Sequence, residues 1–356
     1  MNTQEILQWL MDHGGPVIRY LTATELLESG SGYDVNRLKE DLLVHPFVQS
    51  WLNNLNPTNV TMRTCHGSFN TCFENAMGML LQLGLRAGMT ALDERTHPIR
   101  DWFATMMKAD PAQWNVFAMA LFSSFLAAAG YEDDSIRSFL NLRLDTLHAF
   151  ASLGSYDLYD DPDKFKGIPT AFKAKPVIKP ELYGGGNYKY PLIYDMYGLA
   201  AMVVKGGSAA TEKIDSVIRY IMAPEYHQTV ADGYGIVVSN GNRYYSMGWD
   251  VKLPGFLGFT EEADKQGPVL LHRLSLMSHF PSAVKHVWFA NALCHLEKFQ
   301  TERGTYLFPR HFLKEGTGYW VSGMHMSLGE NRRAKTALEL ESTFRMMLLK
   351  NRAGML

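Results

Sequence analysis

Cysteine is scarce. Cys65, Cys72 and Cys294 are the only three in 356 residues, too few for a disulfide framework, and they suit a reducing cytoplasm. Neither sign of charge dominates: 34 basic residues stand against 36 acidic ones, a net of -2. That balance argues against a nucleic-acid partner, which requires a basic stripe to neutralise phosphates. Apolar runs are interrupted within about a dozen positions, too short for a membrane span. The opening MNTQEILQWLMDH has no basic n-region and carries Glu5 and Asp12, so it does not read as a secretory signal. Metal spacings are also missing. There is no C-x-x-C, H-E-x-x-H or EF-hand loop, and Cys65-His66 and Cys294-His295 are adjacent pairs that face different ways on a helix, so no metal is expected. The GGGN run at 184–187 lacks the Lys and Ser/Thr of a phosphate loop, and neither a Rossmann fingerprint nor G-x-S-x-G occurs. No cofactor is implied. What remains is a cytoplasmic globular chain, long enough to bury a large core.

Helical periodicity fills most of its length. Segments 4–11 and 16–27 are amphipathic, with Pro16 near a helix start. Asp34 reads as the cap of a helix through Val44; Pro46 opens another that Asn56-Pro57 ends. A helix is expected over 67–86, and His97-Pro98 starts the next, through Met107. Asp110-Pro111 begins the most apolar helix, closed by Gly130, and Asp133 or Asp134 caps one through Phe150. Residues 151–190 break the texture with four prolines and a triple glycine, and Pro191 follows at once. They are rich in Tyr and Phe, which points to an ordered, lid-like excursion rather than disorder. Helices resume at 191–204, 210–222 and 224–230, followed by a hairpin around Asn240-Gly241 and helices at 268–280, 282–299 and 330–350. The fold class is all-α, in a single domain over 1–356.

Helices pair into units of roughly 40–60 residues, a solenoid or toroid spacing. One junction has a specific pattern: Leu296, Gln300, Gly304 and Tyr306. Ile221, Gln228, Gly233 and Tyr234 form a looser copy. A Gln amide can satisfy orphan backbone groups at a helix end, Gly permits the turn, and the aromatic ring closes one repeat on the next. This pattern resembles the QW repeat of terpenoid cyclases and protein prenyltransferases, the α/α-toroid superfamily. The opening GPVIRYLTATELL is similar to the first helix of that superfamily. Tyr306 stands where the family has Trp, and the Asp-x-Asp-Asp acid motif is missing, Asp157, Asp160 and Asp161 having the wrong spacing. The resemblance implies an inner ring of helices around a central cavity, paired with an outer ring.

Candidate chemistry sits where inner helices would begin. In CHGSFNTCFENAMG, His66, Asn70 and Glu74 form a polar set; the plainer alternative is a Ser68 cap with a solvated Glu74. In YKYPLIYDMYGLA, Tyr190, Tyr194 and Tyr197 recur at helical spacing around Asp195, a carboxylate that burial among tyrosines would turn into a general acid. The alternative is an ordinary core face. Trp249 and Asp250 precede a Pro-Gly break and offer an aromatic wall with a second acid, or a simple turn. Tyr319, Trp320 and His325 lie before a last helix, His325 being more often a packed histidine than a base. Glu330, Arg332, Arg333, Glu339, Glu341 and Arg345 read as capping and surface groups. The expectation is therefore an enzyme of cyclase or isomerase type. Asp195 acts as acid, Glu74 or His66 is its partner and Asp250 stands in support. Tyr190, Tyr194, Tyr197, Trp249, Tyr319, Trp320 and His325 line a pocket for a small apolar or aromatic molecule. Two alternatives stay open: a carbohydrate-active (α/α)-barrel hydrolase, lyase or epimerase working through Asp195 and Asp250, and a non-catalytic binding scaffold.

Overall fold

The computed structural model describes residues 1–28, 30–55, 60–113, 115–205, 207–239 and 243–356. The expected helix stop at Asn56-Pro57 and the hairpin turn at Asn240-Gly241 lie outside the described residues. The protein is all-α with one small sheet. It divides into two compact units: Met1–Asp101 with Phe259–Leu356, and Trp102–Gly258.

The first unit holds α1 (Thr3–His13), α2 (Pro16–Glu25), α3 (Val35–Val44), α4 (Pro46–Asn54), α5 (Met62–Cys65), α6 (Phe73–Gln82) and the start of α7 (Thr90–Met106). The second holds the end of α7, α8 (Val116–Ala129), α9 (Asp134–Ala151), α10 (Ile193–Lys205), α11 (Ser208–Ile221) and α12 (Pro224–Thr229). The chain then returns to the first unit with α13 (Glu261–Lys265), α14 (Gly267–Met277), α15 (Pro281–Val284), α16 (Val287–Glu297) and α17 (Ala337–Arg352). Among the described residues, no helix is long and apolar enough to cross a membrane.

Local chemistry fixes many of these ends. Asp34 accepts from Asn36 N and Arg37 N, and Asn115 accepts from Ala118 N, each satisfying donors that a helix start leaves open. Gly130 ends α8 in the left-handed region at φ 101°. Because α8 is apolar on all sides, it is buried along most of its length. Gly198 of α10 approaches α8 so closely that a Cβ there would lie 2.7 Å from Ser124 Oγ.

Five expected boundaries move. The apolar helix expected from Asp110-Pro111 begins as α8 only at Val116, where Asn115 caps it. The helix expected over 67–86 begins only at Phe73, because residues 66–72 turn back on α6 and are held there by its side chains. Pro98 lies inside α7 rather than at its start; it costs that helix one backbone bond but does not end it. The segment 282–299 is two helices, since the His286 side chain accepts from Trp288 N and caps a fresh start. The last helix begins at Ala337, not 330.

In the second unit the excursion over 151–190 is ordered. It contributes β1 (Tyr159–Asp160) and β2 (Val177–Ile178) to a sheet completed by β3 (Ile236–Ser239) and β4 (Arg243–Ser246), in that order, with only the β2–β3 pair parallel. Tyr156 stacks on Tyr220 at 4.5 Å and donates to its carbonyl, while Tyr159 Oη accepts from Ala231 N. Tyr183 Oη accepts from Val238 N and Tyr244 donates to Lys166 O, so the excursion is fastened along its length.

The junction at 296–306 is partly as expected. Gly304 has φ 87° and Tyr306 is buried, its hydroxyl shared between Glu297 at the end of α16 and Lys350 of α17. Gln300 is exposed and reaches Gly304 O at 3.4 Å and Tyr306 Oη at 3.3 Å, so it braces its own turn instead of a helix end. In the looser copy Gln228 is exposed, and the fastening falls to Tyr234, whose hydroxyl pairs with Tyr226 at 2.7 Å.

Buried histidines make the first unit sensitive to acid. Burial, reinforced by Arg352 and Arg86, lowers His279 to about 3, and His272 is pushed well down by burial beside Arg273 and Arg345. Between a histidine's ordinary value of about 6.5 and those depressed values, the unfolded chain takes up a proton that the folded chain refuses. The stability they contribute is complete above about pH 6.5 and is lost as pH falls toward 3. Urea denaturation at pH 7.5 and pH 5 should show a lower midpoint at pH 5, and His279→Gln should reduce that difference. An unchanged pH dependence in the variant would remove His279 from the account.

Candidate functional site

The densest convergence of titratable and aromatic groups in the first unit is at the start of α6. Glu74, in its first turn, is fully buried, and its Oε1 accepts from His66 Nδ1 at 2.7 Å and from Gly67 N at 2.8 Å. A carboxylate near a helix N-terminus is favoured by the helix dipole, so a charge too costly to bury alone is retained there. The carboxylate fixes the imidazole in the tautomer with the proton on Nδ1, and proton exchange with any ligand then falls to Nε2. The His66 side chain is 19% exposed, so the ring stands between the buried acid and the surface.

Asn75, the next residue, builds the walls. Its Nδ2 donates to both Gly67 O and Phe69 O at 2.9 Å, folding the 66–70 turn around one amide nitrogen. Its Oδ1 accepts from Trp320 N at 2.7 Å, and Gly318 N donates to Ser68 O at 3.1 Å. The strip Gly316–Leu328 is thereby laid along α6. Gly78 gives it room, since a Cβ there would meet the Trp320 ring at 2.4 Å. One turn on, Gln82 Nε2 donates to the carbonyls of His325 and Ser327. The strip places the Tyr319 ring against His66, centroids 5.1 Å apart and planes at 30°. Tyr319 is 37% exposed and Phe69 is 71% exposed, so the dyad opens on an aromatic rim. The Asn70 Oδ1 is buried, and among the described residues no donor reaches it.

In three neighbouring residues, Cys65, Cys72 and His325, burial disfavours the charged form. Burial and then the Glu74 charge push the Cys65 thiol well up, and burial raises Cys72 as well, so neither favours the thiolate. Burial lowers His325; its Nε2 donates to Gly318 O and its ring meets Trp51 edge-on. It packs the strip. Among the described residues no group of three or more His, Cys, Asp or Glu is placed to hold a metal ion.

Six of the eleven expected site residues, Asp195, Asp250, Tyr190, Tyr194, Tyr197 and Trp249, belong to the second unit. The structure alters the reading of Asp195. It is buried as expected, but against a cation rather than among tyrosines alone: Arg143 Nε and Nη2 meet its two oxygens at 2.8 Å each, and Leu192 N donates to Oδ2 at 2.8 Å. Both oxygens are held by these donors, so Asp195 stands as the counter-ion of Arg143. Arg143 also donates to Tyr188 O and Tyr190 O, fixing the entry to α10. Asp250 is likewise committed: it accepts from Gly233 N at 2.7 Å and Lys252 N at 2.8 Å and holds a turn. Tyr190, Tyr194 and Tyr197 are buried, Tyr194 edge-on to Phe117 and Tyr197 stacked on Phe125. Trp249 stacks on Phe117 at 3.8 Å. They form the aromatic core of the second unit.

Sequence reasoning passed over Asn75 and Arg143. A weak signal existed for each: a second polar residue opening an apolar helix, and an arginine on the buried face of α9. No protein-family model, no curated protein and no solved structure matches the chain.

Breaking a buried ion pair from one side costs about 3–5 kcal/mol, because the surviving charge is stranded. Asp195→Asn should therefore lower the urea midpoint sharply, and Asp195→Leu with Arg143→Met should recover part of the loss. A single variant as stable as the parent would show that the pair holds nothing together.

Proposed function

We propose that the protein is an acid/base enzyme in which His66 moves the proton and Glu74 orients it, acting on a small apolar or aromatic molecule. The observation that carries this reading is the 2.7 Å contact from His66 Nδ1 to a wholly buried Glu74 carboxylate. Imidazole both gives and takes protons near neutrality, and a buried carboxylate on one ring nitrogen fixes the direction of the other. The aromatic rim of Phe69 and Tyr319 supports an apolar or aromatic-faced substrate. Cyclisation and isomerisation both need one proton delivered and one removed, which a single imidazole can do in turn. The all-α fold and the QW-like junction at 296–306 support an α/α-toroid scaffold of the terpenoid-cyclase type, with the acid supplied by this dyad instead of an Asp-x-Asp-Asp motif. A cytoplasmic setting is the matching proposal, supported by three unbridged cysteines.

Native mass spectrometry of protein purified from its own cytosol would identify the bound molecule, and turnover would then be followed on it. General acid–base catalysis contributes roughly 10²–10⁴-fold. His66→Gln should lose a factor in that range from kcat with the far-UV spectrum unchanged, and Glu74→Gln should lose less. Parental kcat in His66→Gln would overturn the reading.

A further inference from the structure

The charged run at 330–333 and the acids and arginine of α17 read in sequence as surface groups, and the structure corrects this for several of them. Glu341 is fully buried. Its Oε1 accepts from Leu328 N at 3.0 Å, Glu330 N at 3.2 Å and Ser327 Oγ at 3.2 Å, and its Oε2 accepts from Arg332 Nη2 at 2.7 Å. Arg345, one turn along α17, donates from Nη2 to Met326 O. Glu330 is engaged elsewhere, its Oε1 accepting from Gly15 N at 2.7 Å. Glu315 is half-exposed and approaches Arg332 Nε only at 4.0 Å.

After this pairing two charged donors are left over. Arg332 Nη1 and Arg345 Nε are both out of contact with solvent, and among the described residues no acceptor reaches either. A buried guanidinium N–H without an acceptor costs more than a neutral one, and native folds rarely leave one so; both arginines lie in the field of Glu341. Two backbone carbonyls already accept from other nitrogens of these arginines, Met326 O from Arg345 Nη2 and Leu313 O from Arg332 Nη2. A neutral water would need acceptors for its own protons, whereas an anion needs only donors.

We propose that Arg332 and Arg345 form a binding site for a small oxyanion, a carboxylate or phosphate group, received by Arg332 Nη1 and Arg345 Nε. Arginine suits this role because its planar fork matches such oxyanions and stays charged when buried. Burial brings Arg345 down to about 10, still cationic at neutral pH. The site is separate in its residues from the His66–Glu74 dyad and does not depend on the function proposed for it.

The test uses the full-length protein, sodium phosphate and sodium acetate, with sodium chloride at equal ionic strength as reference. Thermal unfolding should rise saturably with one of the two oxyanions beyond the chloride control, a larger rise with acetate indicating a carboxylate and with phosphate a tetrahedral ligand. Arg345→Lys, which keeps the charge but removes Nε, should weaken the apparent Kd at least tenfold. A second measurement does not rely on a variant: crystals of the parent protein soaked in selenate should show an anomalous peak within hydrogen-bond distance of both nitrogens. No oxyanion-specific shift, a shift that survives Arg345→Lys, or a soaked crystal with no peak at these nitrogens would each overturn the proposal.

Discussion

A polar group taken out of water must find partners inside the fold, and that constraint organises both units. In the first, the amide of Asn75 satisfies two carbonyls of one loop and one backbone N–H of another. In the second, Arg143 meets Asp195 with two donors and spends the rest on the carbonyls that lead into α10. Neither group is stabilising by its polarity alone, since desolvation costs about as much as the new bonds return. Each earns its place by specificity, because any other path of the bonded segments would strand a buried donor or acceptor.

The candidate site follows from that constraint. Helix α6 is a rigid floor whose first turn presents Glu74 and Asn75 together, both wholly buried. The loop over 66–70 and the strip over 316–328 are irregular, and left to themselves would be mobile. They become walls because every few residues a side chain of α6 takes one of their backbone groups: Glu74 at Gly67, Asn75 at Gly67, Phe69 and Trp320, Gln82 at His325 and Ser327. The same strip ends on Glu341, so α6 and α17 hold it from opposite ends. Chemistry on loops pinned to a helix combines precise placement with exposure, which a side chain in mid-helix does not have.

What the sequence made legible was local. The Asp34 cap, the Gly130 stop of α8, the strands flanking the hairpin and the ordered aromatic excursion all depend on residues within a few positions of one another, and each could be read. His66 and Glu74 could be paired in sequence because only eight positions separate them. Partners at long range could not. Nothing near Asn75 announces Trp320, 245 residues away. Asp195 could be seen as a costly carboxylate, but the tyrosines beside it in sequence suggested desolvation, while its actual partner lies 52 positions earlier on α9. The same failure turned Glu341 into a surface residue, because a helix with charge on one face looks solvated until the 314–328 segment is known to cover it.

These errors share a direction, and it bears on which acid is chemically available. A carboxylate in an apolar stretch has two fates: it is neutralised by a cation and becomes structural, or it is held by donors that leave an adjoining group able to react. Sequence cannot separate them, because both look like an acid in the wrong place. Geometry does so by what surrounds the oxygens. Asp195 is closed off by a bidentate guanidinium and a backbone N–H, and Glu341 by four donors, one of them a guanidinium. Glu74 is the exception of the three, since one of its partners is a titratable imidazole that itself reaches toward solvent. That difference, and not the burial of the acid, is why we propose the reactive centre at His66 and Glu74 and not at the tyrosine-flanked aspartate.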